Sequence, residues 1–478
     1  MNKARPLVLD VDGTFLRTDM LFECFWSGLS RAPWKTIKTA ILHMNDRARL
    51  KQELAAIAQL RTDLLPTNAE IKRLADEGKA SGREVVLASA SDQKLVEQLA
   101  TEHGLSSRVF ASDGAKNMKG SAKAAALVDA FGEGGFDYAG DSGADKRIWP
   151  HADTAIIVGA MPSAKAELTA AGINLVELSG GWRKRDLLRA LRPHQWVKNV
   201  LLFLPILAAH DFTLHTFLLV ALGMASFSAA ASCIYVVNDL LDLEADRLHA
   251  TKHRRPFASG AVPISVGMAA CAIVGMIALG ISLYLGWAFF AVILTYMALS
   301  LAYSLRLKRM RWIDIATLAS LYTIRVLAGA AAGKVFISGF MLVFIFPVFI
   351  SLGCVKRLTE VALADTDARL PGRGYGKPDR GDLLNVASLG VLGALGSFFL
   401  YTLTEQAREL YPTLWLLWVA MVPMALWLIR MVRLGYFGRQ DYDPIVFALR
   451  DKRGLGLLMF TLALMFYAAG IWQRWFGF

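Results

Sequence analysis

Long apolar stretches make up most of the chain from about residue 197 onward, and they limit the fold more than any other feature. An α-helix of ~20 apolar residues crosses the hydrocarbon core of a bilayer. Because lipid offers no hydrogen-bond partners, such stretches form helices that satisfy their own backbone. The sequence predicts an all-α polytopic domain of about nine spans, the first short enough to be tilted or re-entrant: 197–210, 215–237, 264–284, 287–305, 312–332, 338–355, 383–404, 413–432 and 455–473.

Lysine and arginine are distributed unevenly among the connections between these spans. Alternate connections are rich in them, at 247–255, 306–311, 356–380 and 433–453. Of the connections between, His210–Thr216 has none and Gly333–Gly339 has only Lys334. This alternation is the positive-inside pattern. It predicts a multi-pass protein of the bacterial inner (cytoplasmic) membrane, with the basic connections and the N-terminal part in the cytoplasm.

The first 180 residues, in contrast, have the composition of a soluble domain, although the whole chain is 55% hydrophobic with a net charge of +12. Met1–Asp12 is strand-like, so we expect no signal peptide there. A flexible, basic junction at Ser179–Arg185 precedes the membrane part. The four cysteines are scattered, so we expect packing roles and no disulfide framework for Cys24, Cys233, Cys271 and Cys354.

Polar residues recur every fourth position where the second span meets its basic connection. Asn238, Asp242 and Asp246 would share one face of a helix. Carboxylates at the end of a membrane helix are costly unless they hold something. Oxygen ligands of this kind suit Mg²⁺, which binds through one or two carboxylates plus substrate phosphates. With the cations of 247–255, the pattern predicts a metal-bound diphosphate at the membrane surface.

Chemically active residues in the first half follow strand-like runs. Leu7–Asp12 ends in Asp10 and Asp12, which would point to the same side of a sheet because side chains alternate along a strand. Glu84–Ser89 and Phe136–Asp141 read as further strands, and Lys123 begins a helix at Ala122–Phe131. The carboxyl ends of parallel strands form the ligand crevice of α/β folds. An N-terminal α/β domain with a site at that edge is therefore predicted.

These motifs, spread over about residues 5–160, resemble the haloacid dehalogenase-like (HAD) hydrolases. The resemblance implies a Rossmann-like domain with a small helical cap at about 18–80, a phosphatase activity and Mg²⁺. Attack by a carboxylate on phosphorus requires cations that screen the negative charges. The roles implied are nucleophile for Asp10, general acid and base for Asp12, phosphoryl binding for Ser89 and Lys123, and metal binding for Asp10, Asp12 and Asp141, with Asp145 completing the site.

The pattern at 238–246, with Lys252 and Arg255, resembles the UbiA superfamily of membrane prenyltransferases over about residues 185–475. The resemblance implies that Asn238, Asp242 and Asp246 are catalytic and hold Mg²⁺ on the diphosphate of a donor. It leaves open whether that donor is a prenyl diphosphate or phosphoribosyl diphosphate (PRPP). A plainer alternative is a helix-end cap whose carboxylates pair with Arg247 and Arg254.

Two further stretches favour PRPP. Arg192–Asn199 opens the membrane part, and Tyr303–Lys308 stands where aromatic-acceptor members carry a second acidic motif. Only Asp314 follows, interpreted as an ion-pair partner of Arg311. Together these stretches resemble the decaprenyl-phosphate phosphoribosyltransferase branch, which implies a polyprenyl phosphate acceptor. Substrate binding is assigned to Lys198, Asn199, Lys252, Arg255, Tyr303 and Lys308. Three further cations are expected at span ends, where they would either contact phosphate or anchor the helices: Arg325, Lys356 and Arg357.

Three hypotheses follow for a chain divided into a HAD-like domain (1–178), a linker with an interfacial helix (179–192) and a UbiA-like domain (193–478). The first is transfer of 5-phosphoribose from PRPP to a polyprenyl phosphate, with the phosphatase then removing the 5-phosphate. The second is attachment of a polyprenyl group from its diphosphate to an aromatic or other lipophilic acceptor. The third is a non-catalytic membrane anchor for a phosphatase. No nucleic-acid partner is expected.

Overall fold

The computed structural model describes residues 5–364, 369–370, 373–440 and 443–477. The chain divides into two compact units. The first comprises Met1–Leu191 and Tyr235–Ala272, and the second comprises Arg192–Ile234 and Ile273–Phe478. Leu191 falls within the linker expected at 179–192, and the division into domains stays a prediction. The connection that carries the acidic motif, however, groups with the N-terminal residues.

A six-stranded parallel sheet forms the centre of the first unit, with strand order β3-β2-β1-β4-β5-β6. The central strands are mostly buried, as expected when helices cover both faces of a parallel sheet, whereas the edge strand at 174–178 is mostly exposed. Because β1 lies between β2 and β4, the carboxyl ends of these three strands meet at the point where the strand order reverses. The predicted α/β fold is confirmed, and the strands are β1 (Leu7–Asp10), β2 (Val85–Asp92), β3 (Val109–Ser112), β4 (Asp137–Gly140), β5 (Thr154–Val158) and β6 (Asn174–Leu178).

Alternation along the strands builds two cores in this unit. Leu7 and Leu9 pack with helices on one face, and Val8 packs with Tyr138 on the other. Four helices fill the predicted cap region and its return to β2, and the last of them, α4, contacts β2. The helices are α1 (Met20–Arg31), α2 (Pro33–Leu42), α3 (Arg47–Ala58), α4 (Ala69–Ala80), α5 (Gln93–Glu102), α6 (Ser121–Phe131), α7 (Pro162–Ala170) and α8 (Lys184–Ala190).

Beyond Leu191 the described residues are helical, with 3-10 turns and loops between helices. Within the described ranges, seven helical segments are long and apolar enough to cross a membrane, and one of them, Lys377–Thr402, includes a 3-10 turn at its start. The helices are α9 (Leu204–Ala208), α10 (Leu214–Leu241), α11 (Leu243–Leu248), α12 (Ile264–Leu285), α13 (Trp287–Leu305), α14 (Ile313–Gly333), α15 (Gly339–Ala362), α16 (Arg380–Thr402), α17 (Glu405–Leu410), α18 (Trp415–Tyr436), α19 (Pro444–Arg450), α20 (Lys452–Ala468) and α21 (Ile471–Phe476).

The first and last of the nine expected spans are shorter in the structure. At 197–210 the chain forms a 3-10 helix, Pro193–Phe203, followed by the five-residue α9. This segment packs closely on α14, because a Cβ at Gly329 would lie 1.9 Å from the carbonyl oxygen of Leu202. At the other end, α20 has 17 residues and breaks at Gly470 before α21. Seven spans are supported within the described ranges, and the count of nine stays a prediction.

Candidate active sites

A buried lysine and two buried carboxylates meet below the carboxyl ends of β1 and β4. Lys123, near the start of α6, places its Nζ 2.5 Å from Asp10 Oδ1 and 3.0 Å from Tyr138 Oη. The Tyr138 hydroxyl donates to Asp145 Oδ1 at 2.7 Å. The expected partners Asp10, Lys123 and Asp145 are thus brought together. Tyr138, which no sequence motif indicated, links the lysine to the second carboxylate because it lies on β4 and points to the same face of the sheet.

Asp141 completes a group of three carboxylates above this pair. One oxygen from each of Asp10, Asp141 and Asp145 lies within 4.8 Å of the others. Thr14 Oγ1 donates to Asp141 Oδ1 at 3.1 Å. The turn that precedes Thr14 requires glycine at position 13. The φ of Gly13 is +82°, and a Cβ at this position would lie 2.2 Å from Asp141 Oδ2. The turn after β1 therefore fits directly against the Asp141 carboxylate.

This carboxylate group fits a divalent cation. Three carboxylates face one buried lysine, so negative charge is in excess where little water reaches it. Burial raises the pKa of Asp141 to about 7, with the Asp145 carboxylate adding to the effect. Burial also raises the pKa of Asp10 well above its ordinary value, although Lys123 opposes the shift. Burial alone would lower the pKa of Lys123, but Asp10 and Asp145 raise it overall. Oxygen ligands and excess negative charge are what Mg²⁺ prefers.

Asp12 has partners of its own, separate from that group. Its Oδ1 accepts from the backbone N–H of Met20 at 2.8 Å, at the start of α1. Its Oδ2 accepts from the hydroxyls of Ser89 at 3.1 Å and Ser91 at 2.7 Å. The expectation that Asp10 and Asp12 point to one side assumed a strand through Asp12, but β1 ends at Asp10 and a turn follows. Metal binding by the Asp12 side chain stays a prediction.

Two cap residues that the sequence motifs did not indicate also lie near Asp12. Asp19 caps α1 by accepting from the N–H groups of Leu21 and Phe22, and burial followed by the Asp12 charge raises its pKa to about 6. Lys51 on α3 donates to the carbonyl oxygen of Ala90 at 2.6 Å, next to Ser89. Burial lowers the pKa of Lys51, while Asp12 and Asp19 act in the opposite direction. The cap thus contributes one cation and one carboxylate to the surroundings of the site.

The acidic motif of the 235–272 segment keeps the helical spacing expected of it. The N–H of Asp242 donates to the carbonyl of Asn238 at 3.1 Å, and the N–H of Asp246 donates to that of Asp242 at 2.8 Å. The path nevertheless changes at Asp242, which stands between α10 and α11 with φ −102° and ψ 15°. Asn238 and Asp242 are half-buried and Asp246 is buried. The three residues therefore lie about one turn apart, as predicted.

Arg255 joins two carboxylates of this motif. Its Nη1 lies 2.6 Å from Asp246 Oδ2 and 3.0 Å from Asp239 Oδ1. Asp239 was not among the expected ligands, because consecutive helix residues point about 100° apart. Burial raises the pKa of Asp246, and the Arg255 charge lowers it. The alternative was that these carboxylates pair with Arg247 and Arg254. In the described contacts, Asp246 pairs with Arg255 instead.

The amide of Asn238 supplies a further indication of a ligand. Its Oδ1 is buried and has no hydrogen-bond partner among the described residues. A buried acceptor left unpaired costs about 1–3 kcal/mol, so a bound cation or donor would be favoured there. The Asn238 amide oxygen lies next to carboxylates that already attract the positive charge of Arg255. Oxygen donors of this kind fit Mg²⁺. Lys252, in the exposed turn that follows, adds a positive charge to the same segment.

Helix α1 of the cap contacts the short helix of the acidic motif. The Glu23 carboxylate accepts from Arg247 Nη2 at 2.6 Å and Nη1 at 3.1 Å, and also from Thr18 Oγ1 at 2.6 Å. Both charged side chains are almost completely buried. An exposed pair, Arg31 with Glu244, lies nearby at 2.7 Å. A groove open to solvent is lined by residues of both pairs.

Replacement of Glu23 by glutamine is expected to destabilise the protein, because Arg247 would keep its buried charge without an anionic partner. Breaking a buried pair costs about 3–5 kcal/mol. The unfolding temperature of the full-length protein in detergent, followed by tryptophan fluorescence, measures the effect. Glu244→Gln is the matched control, since an exposed pair contributes only about 0–1 kcal/mol. Equal shifts for the two variants would contradict the buried pairing.

Residues of the second unit assigned to substrate binding are largely engaged with other side chains. Lys198 is buried and forms an ion pair with Asp443, which caps α19. Asn199 donates to Ser228 Oγ at 2.8 Å and accepts from Arg325 Nε at 3.1 Å. Asp443 could not be linked to Lys198 from the sequence, since 245 positions separate them. Both ends of the Asn199 amide thus have protein partners.

Arg325 was expected at a span end but lies in the middle of α14. Its guanidinium carbon is 5.2 Å from the ring centroids of Phe227 and Tyr296 and 5.5 Å from that of Tyr322. Cation–π contacts of this kind stabilise a desolvated guanidinium. The anchoring interpretation of Arg325 is therefore wrong, because aromatic rings and Asn199 surround its charge inside the helix bundle.

Tyr303 and Asp314 belong to one buried network. Arg357 Nε lies 2.6 Å from Asp314 Oδ2, and its Nη2 donates to Tyr303 Oη at 2.9 Å. Arg373 also donates to Tyr303 Oη, at 3.1 Å. The expected partner of Asp314, Arg311, instead pairs with Asp379 and Asp382, so that prediction is wrong. Asp314 is completely buried and faces α15, which sequence proximity could not indicate. Lys308 is half-buried in a short 3-10 turn, Leu307–Arg309.

Comparison with known proteins places the membrane part in a family. The sequence profile of the UbiA prenyltransferase family matches residues 200–369. Uncharacterized protein y4nM of Sinorhizobium fredii is 34% identical over 455 residues, which cover 94% of this chain and 88% of that protein. Decaprenyl-phosphate phosphoribosyltransferase of Mycobacterium tuberculosis is 32% identical over 277 residues, 55% of this chain and 87% of that protein. Nodulation protein NoeC of Azorhizobium caulinodans is 32% identical over 288 residues, 58% of this chain and 91% of that protein. The chain is a multi-pass membrane protein that belongs to the UbiA prenyltransferase family.

Proposed function

We propose that this protein transfers 5-phosphoribose from PRPP to a polyprenyl phosphate in the bacterial inner membrane and then removes the 5-phosphate with its N-terminal domain. In this proposal the N-terminal domain is a HAD-like phosphatase. Its cap and the basic connections face the cytoplasm, where PRPP is available. Mg²⁺ serves both reactions.

One observation in the acidic motif carries the transferase proposal. Asp239 and Asp246 both contact Arg255, and the buried Oδ1 of the adjacent Asn238 has no hydrogen-bond partner within the described part of the chain. A metal cation bound to a diphosphate would fit both observations. It would give the Asn238 amide oxygen a partner, and its positive charge would be attracted by the nearby carboxylates. The relatives named decaprenyl-phosphate phosphoribosyltransferase support PRPP and a polyprenyl phosphate as the substrates.

In the transferase step, an oxygen of the polyprenyl phosphate attacks the anomeric carbon, the bond from that carbon to the diphosphate breaks, and pyrophosphate leaves. The acceptor is already an anion, so no general base is required. Asn238, Asp242 and Asp246 would hold Mg²⁺, which stabilises the charge on the departing pyrophosphate. Lys252 and Arg255 would bind the remaining phosphates, and Arg255 would also hold the Asp239 and Asp246 carboxylates in place.

In the phosphatase step, the Asp10 carboxylate attacks the 5-phosphate and the ribose hydroxyl leaves. Asp12 would protonate that oxygen and then accept a proton from the water that hydrolyses the aspartyl-phosphate. Lys123 and Ser89 would bind the transferring phosphoryl group. Asp10 and Asp141 would hold Mg²⁺, which reduces the repulsion between the carboxylate and the phosphate. The products are inorganic phosphate and polyprenyl-phosphoryl-ribose.

A labelling experiment tests the choice of donor. Membranes containing the protein are supplied with radiolabelled PRPP and polyprenyl phosphate, or with a labelled prenyl diphosphate and an aromatic acid. We expect label from PRPP in the lipid fraction and none from the prenyl diphosphate in the aromatic product. Label only in the aromatic product would replace the proposal with the second candidate, a UbiA-type prenyltransferase, which the family match supports.

A further inference from the structure

Helix α2 exposes an apolar face that no described residue covers. The exposed fractions are 84% for Trp34, 39% for Ile37 and 69% for Ile41. Trp34, Ile37 and Ile41 follow the i, i+3, i+7 spacing that places side chains on one side of a helix. Thr36, on the other side, is buried and contacts the position of Gly28 on α1. The helix is therefore fixed to the cap on one side and apolar on the other.

The preceding helix, α1, packs against the ends of two membrane spans. Trp26 shares a core cluster with Val236 and Leu240 near the end of α10 and with Ile264 at the start of α12. A single residue, Ala32, separates α1 from α2. Since α1 has 12 residues, its length is only about 18 Å. Helix α2 therefore begins close to the level at which these two spans leave the hydrocarbon.

The charge around this face matches an anionic lipid surface. Residues 33–45 contain Lys35 and Lys38 and no aspartate or glutamate. Apolar side chains with tryptophan on one face and lysines beside them are typical of helices that lie in the membrane interface. Each lysine near an anionic leaflet adds electrostatic attraction to that leaflet.

We propose that α2 is an interfacial helix whose Trp34, Ile37 and Ile41 face enters the headgroup region of the anionic bilayer leaflet. The bilayer is the occupant because the same compact unit already contains two span ends. The contact holds the cap at the lipid surface. Helix α1 then connects α2 to Asp12, because the N–H of Met20 at its other end donates to the Asp12 carboxylate.

Site-directed fluorescence on the full-length protein in lipid nanodiscs tests this proposal. Cys271, half-buried, is first replaced by alanine, and the other three cysteines are buried. An environment-sensitive dye is then attached to Trp34→Cys, to Ile41→Cys or to the control Ala166→Cys, which is exposed on α7. Both α2 positions are exposed, so their substitution removes no core packing. We expect lipids with a quencher near the headgroup to quench the α2 dyes about twofold or more over the control.

Replacement of the anionic lipids by zwitterionic ones should reduce that quenching, since it removes the attraction of Lys35 and Lys38. Equal quenching at positions 34, 41 and 166 would overturn the proposal. A blue-shifted emission without quenching by lipid would also overturn it, because the face would then be covered by protein, such as a second copy of this chain.

Discussion

Membranes that contain Asp10→Asn protein are expected to accumulate the phosphorylated lipid, polyprenyl-phosphoryl-5-phosphoribose. Asparagine keeps the size of the side chain but removes the negative oxygen that would attack phosphorus. Loss of a nucleophile lowers turnover by about three orders of magnitude or more. Lys123 keeps its contacts with Tyr138 and the Ala88 carbonyl, so the fold should persist. Mass spectrometry of extracted lipids after incubation with PRPP measures the ratio of phosphorylated to dephosphorylated product.

Asp129→Asn is the matched control for this substitution. Asp129 is exposed on α6, the helix that also carries Lys123, so it changes the same charge without touching the carboxylate group. We expect its lipid profile to equal that of the unchanged protein. If Asp10→Asn also left the profile unchanged, the phosphatase would act on some other substrate and the coupling of the two reactions would be lost.

Asp246→Asn is expected to abolish the formation of both lipid products. The substitution removes one negative charge from the Asn238, Asp242 and Asp246 group while it keeps a side chain that Arg255 can contact. Arg255 retains Asp239 as a partner, so the segment should stay folded. Disturbance of residues around a metal typically costs about 10–100-fold in affinity or activity, and loss of a ligand should cost at least that much. Incorporation of label from PRPP into lipid, at several Mg²⁺ concentrations, measures the loss.

Glu244→Gln serves as the control on the same short helix, α11, since Glu244 forms an exposed pair with Arg31. It should leave incorporation nearly unchanged. The two substitutions also separate the proposed transferase from a non-catalytic anchor. An anchor requires normal lipids with Asp246→Asn and altered lipids only with Asp10→Asn.

The sequence determined the architecture of each half because local chemistry is enough to specify it. Apolar runs of membrane-spanning length require helices, and seven such segments are found in the described residues. The strand-like runs Leu7–Asp12, Glu84–Ser89 and Phe136–Asp141 predict a parallel sheet, and the observed strand order agrees, although β1 ends at Asp10 and β2 continues to Asp92. The four-residue spacing of Asn238, Asp242 and Asp246 appears as continuous backbone hydrogen bonds.

Tertiary structure alone decided which charged groups are partners. Arg255 joins Asp246 to Asp239, Asp314 pairs with Arg357 across two helices, and Asp12 turns to Ser89 and Ser91 because β1 ends at Asp10. The physical reason is that helix and strand periodicity is local, whereas a buried charge takes whichever partner packing brings within a few ångströms. Packing likewise set Glu23 against Arg247, 224 positions away, and so joined the cap to the acidic motif.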